Sequence, residues 1–307
     1  MTLPLNPPLP PQLARSRANL PDGDGWAYEP KYDGFRAVAF VDGEETYLQS
    51  RNGRPLSRYF PELKFPPGRY VLDGEIVAAS FDTLGQRIHP AASRIARLAE
   101  ETPATYYAFD LLARDDDVLL ERSYDERRAA LEALVTAPVM LTDVVRTAAD
   151  AEHWLHEAEG VIAKEAAAPY LPGERTGMIK VKRVRTVDAV VMGWRPGKAE
   201  RTVGAIILGL YDGEQLRVVG HSSGFSAKEK RELVDTFAPY ETGERGSGEA
   251  SRWTQGRELE WVAMRPELVV EITFDHVSDG RIRHGSKVQR WRDDKAPEAC
   301  TVDQLDQ

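Results

Sequence analysis

Glu29-Pro30-Lys31-Tyr32-Asp33-Gly34-Phe35-Arg36 sets four charged residues between two apolar, strand-like runs, and the reading of this stretch decides the fold around it. A lysine attacks an electrophile only as the free amine, whereas an ordinary lysine, with a pKa of ~10.4, is protonated near neutrality. For Lys31 to be a nucleophile, its neighbours must disfavour the ammonium and aim the nitrogen. Gly34 admits close approach of backbone. Asp33 is placed to orient or accept from the amine, and Arg36 supplies a fixed cation suited to a phosphate. Taken alone, the same letters also describe a polar turn joining two strands.

Working outward, Trp26 to Glu29 reads as a strand, and Phe35 to Val41 with Thr46 to Gln49 as a hairpin around Asp42-Gly43. The hairpin ends in Ser50-Arg51-Asn52-Gly53, which is either a surface loop or an arginine held for a phosphate or ribose. Tyr70 to Ala78 alternates as a strand with Asp73-Gly74-Glu75 inside it. A glycine there signals close approach to the backbone, and Glu75 is a candidate for a ribose hydroxyl or Mg²⁺. A helix is expected within 90–101. A strand follows over 104–112, whose aromatics, Tyr107 and Phe109, are core residues or a platform for a base. Ser123 with Glu126 caps a helix running to Leu134, and another helix is expected over 148–157. Glu159 to Lys164 is a strand with an acid at its start and a lysine at its end. Lys180 and Lys182 then alternate onto one face of a strand over 178–185. Two lysines so placed repel unless an anion lies over them, and a triphosphate is such an anion.

A chain of 307 residues with 42% apolar content is expected to form two domains, each with its own core. The apolar runs are strand-sized and the first 21 residues are Pro- and Leu-rich, extended over the body, so a soluble, cytoplasmic protein with no membrane segment is expected. Cys300 is the only cysteine, which excludes an internal disulfide, and His153 and His156 have no third metal ligand nearby. The net charge of −9 argues against a polyanionic partner, but its distribution does not. Lys180, Lys182, Arg183 and Arg185 form one basic run; Arg281, Arg283, His284, Lys287, Arg290 and Arg292 form another. After Arg185 the texture changes to short strands over 187–194, 202–211, 215–221, 261–264 and 268–274, with one helix from Ser226 to Phe237. That pattern fits a small OB-fold barrel. The Gly-, Glu- and Ser-rich segment 241–255 reads as a mobile loop.

In order, Lys31-Tyr32-Asp33-Gly34, Ser50-Arg51-Asn52-Gly53, Asp73-Gly74-Glu75, Phe109-Asp110, Glu159-Gly160-Val161-Ile162-Ala163-Lys164, Lys180-Val181-Lys182 and Arg292-Asp293-Asp294-Lys295 resemble the nucleotidyltransferase motifs of ATP-dependent DNA ligases. The resemblance spans nearly the whole chain and is greatest to the compact bacterial ligase C kind and to the ligase module of bacterial end-joining proteins. It implies an α+β fold: an ATP-grasp-like nucleotidyltransferase domain of antiparallel sheets and helices over 1–185, then an OB-fold β-barrel over 186–307. It also implies the chemistry. Lys31 attacks the ATP α-phosphate, AMP passes to the 5′-phosphate of a nick in duplex DNA, and the 3′-hydroxyl displaces AMP, in a repair or recombination role.

By the same resemblance, Glu29 and Phe109 recognise and stack adenine, Ile162 covers its other face, and Arg36 and Arg51 hold phosphate or ribose oxygens. Glu75 reaches ribose or metal, Glu159 binds Mg²⁺, for which Mn²⁺ can substitute, and Lys180 and Lys182 touch the α-phosphate. Arg292, Asp294 and Lys295 orient the pyrophosphate, and a hinge near 185–188 carries them to it. Phosphoryl transfer asks for in-line positioning and charge neutralisation, which these residues supply. The chain departs from the family in two places. Only residues 1–30 precede Lys31, so the helical DNA-binding domain of larger relatives is expected to be missing, and Met178 and Val181 replace an aromatic usual beside the paired lysines. A monomer with modest, salt-sensitive affinity for nicks, served by a repair polymerase, is the expectation. Ribonucleotides at the nick stay open. Lysine chemistry is shared by RNA-end ligases and capping guanylyltransferases, and an OB-type single-strand binder would need none of it.

Overall fold

The computed structural model describes residues 2–248, 259–275, 277–278, 280–282 and 286–306. The chain divides into two units, Met1–Arg183 and Val184–Gln307.

In the first unit the elements run β1 (Arg15–Ser16), β2 (Trp26–Pro30), β3 (Phe35–Gly43), β4 (Glu45–Ser50), β5 (Gly68–Val77), α1 (Phe81–Arg87), α2 (Ala92–Glu101), β6 (Thr105–Arg114), β7 (Asp117–Val118) and α3 (Tyr124–Leu134). They continue with β8 (Met140–Leu141), α4 (Ala148–Ala151), α5 (Trp154–Glu157), β9 (Gly160–Glu165) and β10 (Met178–Lys182). Among the described residues these strands make two sheets, ordered β1-β10-β9-β2 and β4-β3-β5-β6-β7, with β8 beside β6.

Strand periodicity explains the layers, because successive side chains point to opposite faces. Ala37, Ala39 and Val41 of β3 pack into one core with Leu72, Ile76, Leu111 and Leu131. Val38 and Phe40, between them in sequence, face a second core with Val71, Leu112 and Tyr170. That second face is closed by the amino-terminal arm, whose Leu3, Leu5 and Leu9 lie on it. The arm is held by paired hydrogen bonds between Gln49 and Leu9, at 2.9 and 2.7 Å. It ends as β1, parallel to β10, with Ser16 opposite Lys180. In the other sheet, Tyr28, Val161, Ala163, Ile179 and Val181 turn to a third core with Trp154. The alternate residues, Glu29, Ile162, Lys164, Met178 and Lys180, line a cavity on the opposite face.

The second unit is built from β11 (Arg185–Pro196), β12 (Val203–Asp212), β13 (Gln215–Ser222), α6 (Glu229–Phe237), β14 (Glu241–Gly248), β15 (Leu259–Met264), β16 (Val269–Phe274), β17 (Val277–Ser278), β18 (Arg281–Ile282) and β19 (Lys287–Trp291). β11 is the hub: it pairs antiparallel with β12, with β15 near its end and with β16 near its start. A register shift between Val191 and Gly193 marks the change of partner, the kind of irregularity that bends a strand into a barrel. The sheet wraps a core of Val190, Ile206, Leu208, Val270 and Ile272, with Leu233 and Phe237 of α6 against it. This is the OB-fold barrel expected from the strand pattern.

The structure departs from the sequence reading in several places. Glu241–Gly248 is a strand, paired with Leu259–Met264, where a mobile loop was expected; 249–255, the rest of that segment, lies outside the described residues. The helix expected over 148–157 is two short pieces. α1, capped by Ser80 accepting from the Thr83 N–H, was not foreseen. Arg185 to Asp188, the expected hinge, is already paired with β16, so the break between the last strand of one unit and the first of the next falls at Arg183–Val184. Of the second basic run, Arg283 and His284 lie outside the described residues. Among the described residues no helix is long and apolar enough to cross a membrane.

Candidate active site

A cavity of about 840 Å³ opens in the first unit, lined by residues of both sheets and of the loops between them, within the ~300–1,000 Å³ usual for small-molecule sites. Lys31 follows β2 directly. Its backbone N–H donates to the Gly160 carbonyl at 2.9 Å and its carbonyl accepts from Glu159 N–H at 3.1 Å, so the lysine is locked to the start of β9. The loop beyond must pass tightly by β5: a Cβ at Gly34 would lie 2.3 Å from the Ile76 carbonyl oxygen and 2.8 Å from the Glu75 side chain. Gly74 is also required, because a Cβ there would meet the Tyr106 ring at 2.5 Å. The close approach inferred at Gly74 is therefore to a core tyrosine.

The Lys31 amine is ion-paired with the Glu159 carboxylate, whose other oxygen pairs with Lys182 at 3.2 Å. Glu159 is thus a partner of the amine that the sequence reading did not assign, and Asp33, expected to orient the amine, lines the same cavity. Lys180 lies on the same wall. Burial first, and then the positive charges of Lys182, Lys31, Arg51 and Arg175, push its pKa down. An excess of cations gathered in a partly dry cavity calls for an anion. Arg51 is on the cavity lining as expected, and Arg175, which the sequence reading missed, joins it. Arg175 sits in the loop before β10, with no alternation or motif to single it out.

Arg36 lines the cavity as well, with a partner that the sequence reading did not foresee. Its guanidinium grips Asp73 with both arms, Nε to Oδ1 at 3.1 Å and an Nη to Oδ2 at 2.6 Å, which leaves only part of its fork for a phosphate or ribose oxygen. It also lies 5.4 Å from the centre of the Phe109 ring, and the Lys164 ammonium lies 4.7 Å from it. Lys164 is the second residue that the sequence reading did not assign. Buried with Glu29, it donates to Glu29 Oε1 at 2.9 Å and to the Phe109 carbonyl at 3.1 Å, while the Tyr124 hydroxyl donates to the same Glu29 oxygen at 2.6 Å. Glu29, Phe109 and Ile162, the expected adenine contacts, therefore share one end of the cavity, with one oxygen of Glu29 already engaged. Asp110, beside Phe109, is a structural residue, held bidentately by Arg127 at 2.7 and 3.1 Å.

Glu75 lines the cavity near Lys31, and burial pushes its carboxyl up to about 8 despite Arg36 and Lys31 nearby. Among the described residues no group of three or more His, Cys, Asp or Glu side chains is gathered for a metal. The carboxylates of Glu75 and Glu159 still fit Mg²⁺, which takes one or two carboxylates and completes its shell with phosphate and water.

The remaining expected residues belong to the second unit. Arg292 donates to Asp294 at 2.8 and 2.9 Å and to both oxygens of Asp188 at 2.8 and 3.0 Å. Lys295 pairs with Asp188 at 3.5 Å. Hydrogen bonding from Arg292 holds the Asp294 carboxyl down at about 2. The three form one cluster within the barrel.

Residues 11–182 match the family described as ATP dependent DNA ligase domain, and 199–295 the ATP dependent DNA ligase C terminal region. DNA ligase C1 of Mycolicibacterium smegmatis is 43% identical over an alignment covering 100% of this chain and 96% of that protein. DNA ligase C of Mycobacterium tuberculosis is 40% identical, with the same coverage. Among solved structures, a mycobacterial DNA ligase D complexed with ATP and MES is 29% identical, covers 95% of this chain and 98% of that one, and superposes with a TM-score of 0.51.

Proposed function

The chain belongs to the ATP-dependent DNA ligase family, whose members seal nicked duplex DNA through a lysyl-AMP intermediate using ATP and a divalent metal, and we propose that Lys31 is the lysine that carries the AMP. One observation carries this reading: the Lys31 amine lies in the cavity, on Glu159, among Lys180, Lys182, Arg51 and Arg175. The unit 1–183 is the adenylation domain and the barrel from 184 the OB-fold domain. Glu29, Phe109 and Ile162 bind adenine, and Arg51, with the open part of Arg36, takes ribose or phosphate oxygens. Asp33 helps to aim the amine. Lys180 and Lys182 neutralise the α-phosphate, and Glu159 and Glu75 hold Mg²⁺ or Mn²⁺ against it. Glu159, which pairs with Lys31 and Lys182, would be the carboxylate shared between these lysines and the metal, and the metal would supply charge neutralisation at the phosphates. The barrel's Arg292, Asp294 and Lys295 orient the pyrophosphate.

The enzyme works in the cytoplasm, where ATP and DNA are, as a monomer in repair. A repair polymerase delivers nicks to it, including those with ribonucleotides at the joint. Intact mass of the protein incubated with ATP and Mg²⁺ should show one AMP, and Lys31→Ala should lose both the adduct and sealing. An adduct that persists in that variant would assign the nucleophile elsewhere. EDTA should stop adenylylation, and undiminished labelling without divalent ions would remove Glu75 and Glu159 from the metal role.

A further inference from the structure

Behind Arg36 lies a buried hydrogen-bonded chain that reaches the amino-terminal arm. Asp73 Oδ2 accepts from Arg36 at 2.6 Å and from the Tyr170 hydroxyl at 2.6 Å. The Tyr170 oxygen in turn accepts the backbone N–H of Gln12 at 3.0 Å. Asp73, Tyr170 and Gln12 are each at most 2% exposed. Burial, with Asp73 beside it, holds the Tyr170 hydroxyl in its protonated, donating form. The next two residues of the arm, Leu13 and Ala14, line the nucleotide cavity.

We propose that Tyr170 is a positioning residue for lysine adenylylation, its hydroxyl joining the arm at Gln12 to Asp73 so that Arg36 is aimed into the nucleotide cavity. The proposal rests on the reading that this cavity takes ATP. The hydroxyl is separable from the ring's packing role. The ring sits among Leu3, Val38, Phe40, Val71 and Leu112, with the Arg127 guanidinium 5.7 Å from its centre. The arm has its own anchors: the Gln49–Leu9 pair, the Gln12 side-chain amide on the Thr176 carbonyl, and β1 on β10. Removing one oxygen therefore leaves these anchors and the ring's packing in place, while the buried Gln12 N–H loses its acceptor at some cost in stability. It also leaves the buried Asp73 carboxylate with Arg36 alone, free to turn and carry the guanidinium with it.

The test uses the full chain, freed of AMP with pyrophosphate, as wild type, Tyr170→Phe, Arg36→Ala and the double variant. ATP affinity is measured by calorimetry in EDTA, which stops the chemistry and keeps a signal in every variant; adenylylation of the wild type in Mg²⁺ is run beside it. Tyr170→Phe should weaken ATP binding about tenfold, as expected on losing a hydrogen bond to a charged group, with thermal unfolding within a few degrees of wild type. In the Arg36→Ala background the same change should do nothing more, because its route of action is gone. Unchanged affinity in Tyr170→Phe, or an equal loss in both backgrounds, would overturn the proposal. A wild type that takes up no AMP would overturn the reading beneath it as well.

Discussion

Glu75 shows at the scale of one residue how site chemistry taxes the fold. A carboxyl whose pKa rises from 4.5 to about 8 on folding, chiefly by burial, is favoured by the folded state in its protonated form. Its contribution is fully present below about pH 4.5 and is lost as pH climbs through about 8. The ligand-free, AMP-free wild type should therefore lose thermal stability between pH 5 and pH 9 relative to Glu75→Gln, which has no proton to give up. Calorimetry at pH 5 should find the two alike, and at pH 9 the variant more stable; parallel curves would mean that Glu75 is not buried in this way. The place of Glu75 was legible because strand alternation sends Glu75 and Asp73 to one face of β5. The partner of Asp73 was not, because nothing in a sequence says that a guanidinium offered to a phosphate will be taken by a carboxylate on the neighbouring strand. Arg36 and Asp73 lie directly in reach only once β3 and β5 pair, which sets Arg36 opposite Glu75.

β9 is the element that ties the site to the fold, since Glu159 precedes it, Ile162 is at its middle and Lys164 near its end. It pairs with β2 so that Glu29 stands opposite Ile162 and Ala27 opposite Lys164. The Lys164–Glu29 pair, with both side chains 3% exposed, is what a cavity wall needs if it is to present charge without water. Breaking such a pair from one side leaves a buried charge and costs ~3–5 kcal/mol. Lys164→Met should lower the unfolding free energy measured by urea titration by that amount, and adding Glu29→Gln should recover much of it; a double variant as unstable as the single would show that the lysine's packing, and not its charge, matters. Strands of this half were readable because apolar and polar residues alternate through them. α1 was not, since Gly85 lies inside a helix of seven residues held by the Ser80 cap and by Leu84 in the core. β14 was not either, because a Gly-, Glu- and Ser-rich run becomes a strand only through the partner β15.

On the scale of the whole molecule, Arg292, Asp294 and Lys295 belong to the barrel and Lys31 to the other unit, so the proposed pyrophosphate role requires the barrel to close over ATP. It must then withdraw to admit a duplex to the lysyl-AMP, an ordinary use of hinge closure in phosphoryl transfer. In that proposal the joint belongs at Arg183–Val184, between the last residue of β10 and the first of β11, because from Arg185 onward the backbone is paired with β16. The change of texture in the sequence marked this place to within a few residues; the pairing that excludes 185–188 is long-range and left no local signature. Within the barrel, Arg292 is oriented by Asp188 and Asp294 before any phosphate arrives. Its loss should therefore remove an already positioned cation from the leaving group. Arg292→Ala should lower the rate of lysine adenylylation by a hundredfold or more, the order of losing one preorganised charge-stabilising group, yet seal a nick already carrying 5′-AMP at close to the wild-type rate. Single-turnover sealing of that pre-adenylylated nick decides the matter. A loss as deep there as with ATP would mean that Arg292 acts in every step and that the barrel does not divide its work between two positions.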